Sequence, residues 1–275
     1  MICAWDALLG ILPLWLREDV DKLGKDRLQE LRMRINGPPE LLLDFRSVFL
    51  KRAVCREDIS FVVNGASRYS PWAAVTIAKG YLTAPGGHRI GLCGEIVSKE
   101  GEITGIREIS SLNIRVARDF PGIGKPVLSA KGSVLILGPP GWGKTTLLRD
   151  MVRQLSENAC VAVVDERGEL FPSGLPLGKR MDVLTGAPKK QGMEMVLRSM
   201  GPQWIAVDEI TAEGDCEAIL QAFGCGVNLI ASAHGACIED FYRRAVYKPL
   251  INHRIFETVY IMCPDKSFRT ERMGR

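Results

Sequence analysis

The chain has 275 residues, 46% of them apolar and 25% charged, with 36 basic against 32 acidic side chains. This is the composition of an ordinary globular protein, long enough for one large domain or two modest ones with a sizeable core, and no internal repeat or low-complexity segment is present. A net charge of +4 is too balanced to argue for nucleic acid by itself. The eight cysteines are scattered, with no C-x-x-C pair and no Cys/His spacing that reads as zinc, so reduced, mostly buried thiols in a cytosolic protein are expected.

Residues 1–16 are very apolar, but they lack a basic leader and contain Asp6, Gly10 and Pro13. The run is too short to span a bilayer as a helix, so a buried or docking helix is expected, with a helix that meets a partner or a membrane surface as the alternative. Leu23, Leu28 and Leu31 continue a helix-spaced pattern, which extends the expected helical region to about residue 30. Residues 31–35 alternate, Asn36-Gly37-Pro38-Pro39 is a turn signal, and 40–45 is a second apolar run, so a strand hairpin is expected. Residues 56–67 read as a helix, and Ser70 with Pro71 caps another that runs through Trp72, Val75 and Ile77 to Gly80. Strand candidates follow at 88–97, 103–109 and 112–117, with a turn at 99–102. The Gly- and Pro-rich stretch 119–126 reads as a connector. The expectation is therefore a smaller α+β domain over 1–122 and a second domain over 123–275.

The second half alternates buried strands (133–137, 159–164, 204–207, 227–234, 256–262) with helices (144–155, 190–200, 213–223), the pattern of a mostly parallel sheet in an α/β fold. Its first strand runs into Gly138-Pro139-Pro140-Gly141-Trp142-Gly143-Lys144-Thr145-Thr146, a G-x-x-x-x-G-K-[ST] phosphate loop between strand and helix. Glycines there let backbone N–H groups turn inward, and the following helix presents its positive end to the same anion. Lys144 reaches the outer phosphates, and the Thr145 hydroxyl suits a Mg²⁺ ligand.

Ligands of open parallel sheets sit beyond the carboxyl ends of the strands. Four such ends carry polar groups here: the loop, Asp165-Glu166-Arg167, Asp208-Glu209, and Ser232 with His234. Asp208 follows four apolar residues, as a Walker B acid that holds Mg²⁺ does, and Glu209 is placed to orient and deprotonate a water aimed at the terminal phosphate. Asp165-Glu166-Arg167 is either part of this site or a surface turn, and His234 is either a γ-phosphate sensor or a structural residue. Arg89, Arg107, Arg115, Arg118 and Arg167 are candidates for an arginine that meets the phosphates from outside the loop, whereas His88 and His253 read as structural. No guanine-specific N-K-x-D element is evident, which leans towards ATP.

In this order, residues 138–146, 163–169, 204–210 and 231–235 resemble the Walker A, Asp box, Walker B and His box of type II/type IV secretion ATPases. Residues 87–94, 109–118 and 31–35 bring the resemblance closer to the stage III sporulation protein AA family, ATPases of a mother-cell-to-forespore channel in endospore-forming bacteria. The resemblance implies a ring-forming, hexameric, RecA-like P-loop ATPase domain behind a separate N-terminal domain. It implies cytoplasmic placement against the integral-membrane components of a channel complex, on the mother-cell side. By that analogy Glu209 is the catalytic glutamate, Glu166 belongs to the Asp box and His234 is the His-box histidine. Secretion ATPases carry Gly-Glu and then an Arg near Walker B; Asp208-Glu209-Ile210-Thr211 stands here, so no role of that Arg is carried over. Two other readings stay open: a nucleic-acid-handling P-loop ATPase, disfavoured by few aromatics (7%) and balanced charge, and an assembly scaffold that binds ATP with little turnover.

Overall fold

A computed structural model describes residues 1–43, 46–68, 73–172 and 175–273. The chain divides into two compact units: residues 1–119 with Pro172 and Leu175, and residues 120–171 with 176 onward.

The first unit is a six-stranded antiparallel sheet with helices packed on it. It begins with α1 (Trp5–Gly10) and α2 (Leu14–Asp21), separated by Pro13. Leu8, Leu12, Leu16 and Val20 are fully buried, so the apolar N-terminal stretch serves this unit's own core. The helix does not reach residue 30. Pro13 divides it, α2 ends at Asp21, and Gly24 lies in the left-handed region at φ +77°. Leu31 instead belongs to β1 (Glu30–Arg34), where it and Met33 point inward with the period of a strand.

The expected hairpin forms between β1 and β2 (Glu40–Leu42), with Leu31 opposite Leu41. The end of the second run, at 44–45, lies outside the described residues, as do Ser70, Pro71 and Trp72 of the expected cap. β3 (Ser47–Phe49) is too short to show a period. Helix α3 (Arg56–Ser67) buries Ile59, Val62 and Ala66, and α4 covers Ala73–Ala78. β4 (Tyr81–Thr83) and β5 (Arg89–Lys99) follow, and β6 (Glu102–Arg115) is one strand where two were expected. Its polar middle is held from both sides: Ser111 pairs with Cys93 of β5 and Arg34 of β1. The strand order is β3-β2-β1-β6-β5-β4.

His88 is fully buried in this unit. Its Nδ1 accepts the Ala117 N–H at 3.1 Å, which leaves the proton on Nε2, 3.0 Å from the Ala4 carbonyl. The imidazole is thus a neutral clamp between three segments, and burial holds its pKa below the ordinary histidine range.

The second unit is a seven-stranded sheet. Its strands are β7 (Ser133–Leu137), β8 (Val161–Asp165), β9 (Met181–Thr185), β10 (Trp204–Val207), β11 (Asn228–Ala233), β12 (Phe256–Met262) and β13 (Phe268–Arg272). The order is β13-β12-β7-β11-β10-β8-β9, all parallel except β13. Helix α5 (Lys144–Leu155) packs on one face; α6 (Lys189–Ser199), α7 (Glu213–Gly224), α8 (Ile238–Arg243) and α9 (Lys248–Asn252) belong to the other. Both faces being covered, β7 and β8 are buried at every position, which is why they read as unbroken apolar runs. The pieces missed in the sequence are at the margins. β9 and β13 are edge strands with mixed exposure, and α8 and α9 are one to two turns long.

The stretch after residue 119 is fastened down rather than loose. The Asp150 carboxylate of α5 accepts the N–H groups of Gly122 and Gly124 at 2.8 and 2.7 Å, and the Tyr260 hydroxyl donates to the Pro126 carbonyl at 3.0 Å. A Cβ on Gly124 would lie 2.3 Å from the Met151 nitrogen, so only glycine permits this approach. Among the described residues, no helix is long and apolar enough to cross a membrane.

The buried neutral His88 sets an expectation for stability. Its folded pKa is lowered, so the unfolded chain binds the proton more readily; stability is complete above the unfolded value and declines as pH falls below about 6.5. Urea unfolding at pH 7.5 and 5.5 checks this: His88→Gln should cost about 1–3 kcal/mol at the higher pH and flatten the dependence between the two.

Candidate nucleotide site

The carboxyl ends of β7, β8, β10 and β11 lie side by side in the sheet, and the sequence-predicted polar groups stand there. The phosphate loop leaves β7 with Gly141 and Gly143 at φ +79° and +97°, a conformation that strains any side-chain-bearing residue. A Cβ on Gly138 would come within 2.9 Å of Met262 Cβ, whereas one on Gly141 meets nothing within 4 Å, so the backbone there borders open space. Gly143 caps α5, and its carbonyl accepts the Leu147 N–H at 2.9 Å. Trp142 packs partly against the core below.

Lys144 is the first residue of α5 and is 7% exposed. Its ammonium donates to the Pro139 carbonyl at 3.1 Å and lies 3.5 Å from His234 Nδ1. Burial lowers its pKa; the Glu209 and Asp208 carboxylates oppose that shift. The Thr145 hydroxyl donates to Asp208 Oδ2 at 2.9 Å. Asp208 Oδ1 accepts the Ser232 hydroxyl at 2.6 Å, and the Ser232 oxygen in turn accepts the Glu209 N–H at 3.0 Å. Glu209 takes the left-handed φ of +48°, and its carboxylate pairs with His234 Nε2. Lys144, Thr145, Asp208, Glu209 and His234 therefore form one connected group around Ser232.

Asp165, which ends β8, plays a different part. It is buried and accepts the N–H groups of Glu169, Leu170 and Phe171, each at 2.9 Å. Burial pushes its pKa up, against the pull of those donors. Buried Arg149 of α5 holds the same loop from beneath by donating to the Glu169 carbonyl at 2.9 Å and to the Leu170 carbonyl. Glu166 is not bonded to the phosphate loop; Lys189 lies 3.0 Å from its carboxylate. It shares a small cleft with Asp165, Arg167, Glu169, Asp208 and Glu209. Of the other candidate arginines, Arg89 lies over the Tyr81 ring, Arg107 pairs with Glu95, Arg115 with Glu30, and Arg118 donates to the Lys25 and Leu28 carbonyls, all inside the first unit.

Sequence reasoning missed Ser232 as the hub, Arg149 and Asp150 as loop anchors, and Lys189 with Asp215. The available signals were faint: two charged residues on the otherwise apolar inner face of α5, and an acid in the first turn of α7.

The open backbone at Gly141 suits an anion, and the Thr145 hydroxyl and Asp208 carboxylate, 2.9 Å apart, are the hard oxygen donors that Mg²⁺ prefers. The residues present thus fit a nucleotide with its magnesium.

A doubly covered, mostly parallel sheet with a phosphate loop between its strand β7 and helix α5 is a RecA-like P-loop fold. Solved structures agree on the fold: the pilus retraction motor PilT with bound ADP aligns at a TM-score of 0.62 and 14% identity, over 95% of this chain and 78% of that one. The Legionella pneumophila ATPase DotB aligns at 0.60 and 15%, over 95% and 80%. The family profile described as "Sporulation stage III, protein AA" matches residues 7–270. Stage III sporulation protein AA of Bacillus subtilis (strain 168) is 40% identical over 267 residues, covering 90% of this chain and 87% of that protein. The chain belongs to the sporulation stage III protein AA family.

The contrast between Asp165 and Glu166 can be measured by thermal and chemical unfolding. Asp165→Ala leaves three amides without their acceptor and should cost about 2–4 kcal/mol, whereas Glu166→Gln, at a partly exposed side chain, should change stability by less than about 1 kcal/mol.

Proposed function

We propose that this protein hydrolyses ATP as the motor of a membrane-associated channel complex in sporulating cells. Residues 123–275 would form the ATPase domain and residues 1–122 a separate N-terminal domain. The observation that carries the reading is the connected group at the strand ends, in which Ser232 binds both the Asp208 carboxylate and the amide of Glu209.

In this reading the backbone of residues 138–146 and the Lys144 ammonium bind the phosphates, while Thr145 and Asp208 hold Mg²⁺. Magnesium, when bound with ATP, neutralises charge that develops on the phosphates. Glu209 orients a water and accepts its proton, and its carboxylate is steered by His234 Nε2. His234 faces Lys144 with its other nitrogen, so it touches both the proton acceptor and the phosphate-binding cation, a position that suits a sensor of the terminal phosphate. Glu166, across the cleft, is the second candidate acid.

The family name supports a role in sporulation, and the fold shared with a pilus retraction motor that binds ADP is consistent with a nucleotide-driven motor. The further parts of the reading are a homo-oligomeric ring, hexameric by analogy, integral-membrane components as partners, and a cytoplasmic position on the mother-cell side. The balanced net charge of +4 ranks nucleic acid below these partners.

Phosphate release from ATP across a protein concentration series tests the reading, with nucleotide affinity measured alongside. Specific activity should rise with concentration, as expected of a ring. Glu209→Gln should bind ATP within about threefold of the parent and cleave it at least ~100-fold more slowly. Binding without turnover at any concentration would favour a scaffold; undiminished cleavage by the variant would pass the role of base to Glu166.

A further inference from the structure

Lys189 belongs to none of the nucleotide-binding motifs, yet it joins the end of one strand of the site to the helix that follows another. It opens α6, directly after Pro188, and its side chain is 11% exposed. The ammonium lies 3.0 Å from Glu166 Oε2 and 3.5 Å from Asp215 Oδ2. Glu166 follows β8. Asp215 stands in the first turn of α7, and its Oδ2 accepts the N–H groups of Thr211 and Ala212 at 2.9 and 3.2 Å and the Thr211 hydroxyl at 3.3 Å. A single cation therefore connects the end of β8 to the loop that begins at Glu209.

That loop needs holding. Glu209 takes the left-handed φ of +48°, and a non-glycine residue keeps such a conformation only where its surroundings over-determine it. Upstream, Ser232 supplies the constraint through its hydroxyl to the Glu209 N–H and its carbonyl to the Ile210 N–H, 2.8 Å away. Downstream, the constraint is Asp215. Its carboxylate is largely buried, and the charge that compensates it is Lys189. The adjoining cleft is also rich in carboxylates, from Asp165, Glu166, Glu169, Asp208 and Glu209, with Lys189 and Arg167 as the cations that line it. Without the ammonium, Glu166 and Asp215 lose the group that draws them together, and the downstream anchor of the Glu209 loop loosens.

We propose that Lys189 is a positioning residue for the hydrolytic step: by tying Glu166 to Asp215 it fixes the Thr211–Ala212 backbone and so the placement of Glu209. The catalytic half of this inference rests on the function proposed above; the tie itself does not.

Hydrogen exchange resolved at the Thr211 and Ala212 amides, measured on the full chain together with kcat, KM and nucleotide affinity, tests both halves in Lys189→Met and Lys189→Arg. Lys189→Met should speed exchange of the two amides by ~10-fold or more. It should lower kcat by ~10–100-fold with KM and nucleotide affinity within about threefold, and Lys189→Arg should restore most of each loss. Unchanged exchange overturns the tie. Faster exchange with undiminished kcat in an active parent overturns the positioning role, as does a loss confined to KM. A parent that binds ATP without turning it over counts against the proposed function, while the exchange result still decides the tie. Should Lys189→Met not fold, Glu166→Ala removes one end of the same tie at a partly exposed side chain; it should move exchange of the two amides in the same direction, and no change there overturns the proposal.

Discussion

One hydroxyl group holds the site together. Ser232 donates to Asp208 and accepts from the Glu209 amide, so the end of β11 fixes the acids at the end of β10, and Asp208 in turn receives the Thr145 hydroxyl from the phosphate loop. The bonds are partly sheltered from water, and the two to the Asp208 carboxylate are of the charge-assisted kind that is worth more than a neutral pair. The three strands are neighbours in the parallel sheet, with Ser232 paired to Ile136 and Ala231 to Val207. Register thus decides the chemistry: a slip of one residue would turn Ser232 to the opposite face and dissolve the arrangement.

The scaffold under this group is built from complementary anchors on α5. Its inner face carries Arg149, which holds the carbonyls of the loop after β8, and Asp150, which holds the amides of Gly122 and Gly124. Charged residues at buried helix positions are costly unless fully partnered. Here each is spent on backbone groups of irregular segments that would otherwise lack secondary-structure partners. The helix that begins at the phosphate loop is therefore also the post to which two loops of the same unit are tied.

Much of the second unit was legible because its physics is simple. Strands buried on both faces must be apolar throughout, so 133–137 and 204–207 stood out, and the polar residues at their ends marked the site. The phosphate loop was legible for a related reason, since its glycines answer a backbone requirement that φ values of +79° and +97° make plain. Legibility failed where sequence spacing was ambiguous or the decisive partner distant in the chain. Leu28 and Leu31 fit a helical spacing but bury through a loop and a strand, and two strands were expected on either side of Ser110-Ser111 because the pairing of Ser111 with β1 and β5 is non-local. Asp165 read as part of either the strand-end site or a surface turn; only the fold reveals the three amides that it holds. Lys189 reads as one more charge at a helix start until Glu166 and Asp215 are seen on either side of it.

The burial of Lys144 has a consequence for how the site meets its ligand. Desolvation brings its ammonium closer to neutrality than an exposed lysine, while its nearest acceptor, the Pro139 carbonyl, is uncharged. An arriving anion restores the stabilisation that water no longer provides and draws the pKa back up. On the alkaline side, anion capture is thereby linked to uptake of a proton, and the heat of binding should depend on the ionisation enthalpy of the buffer that supplies it.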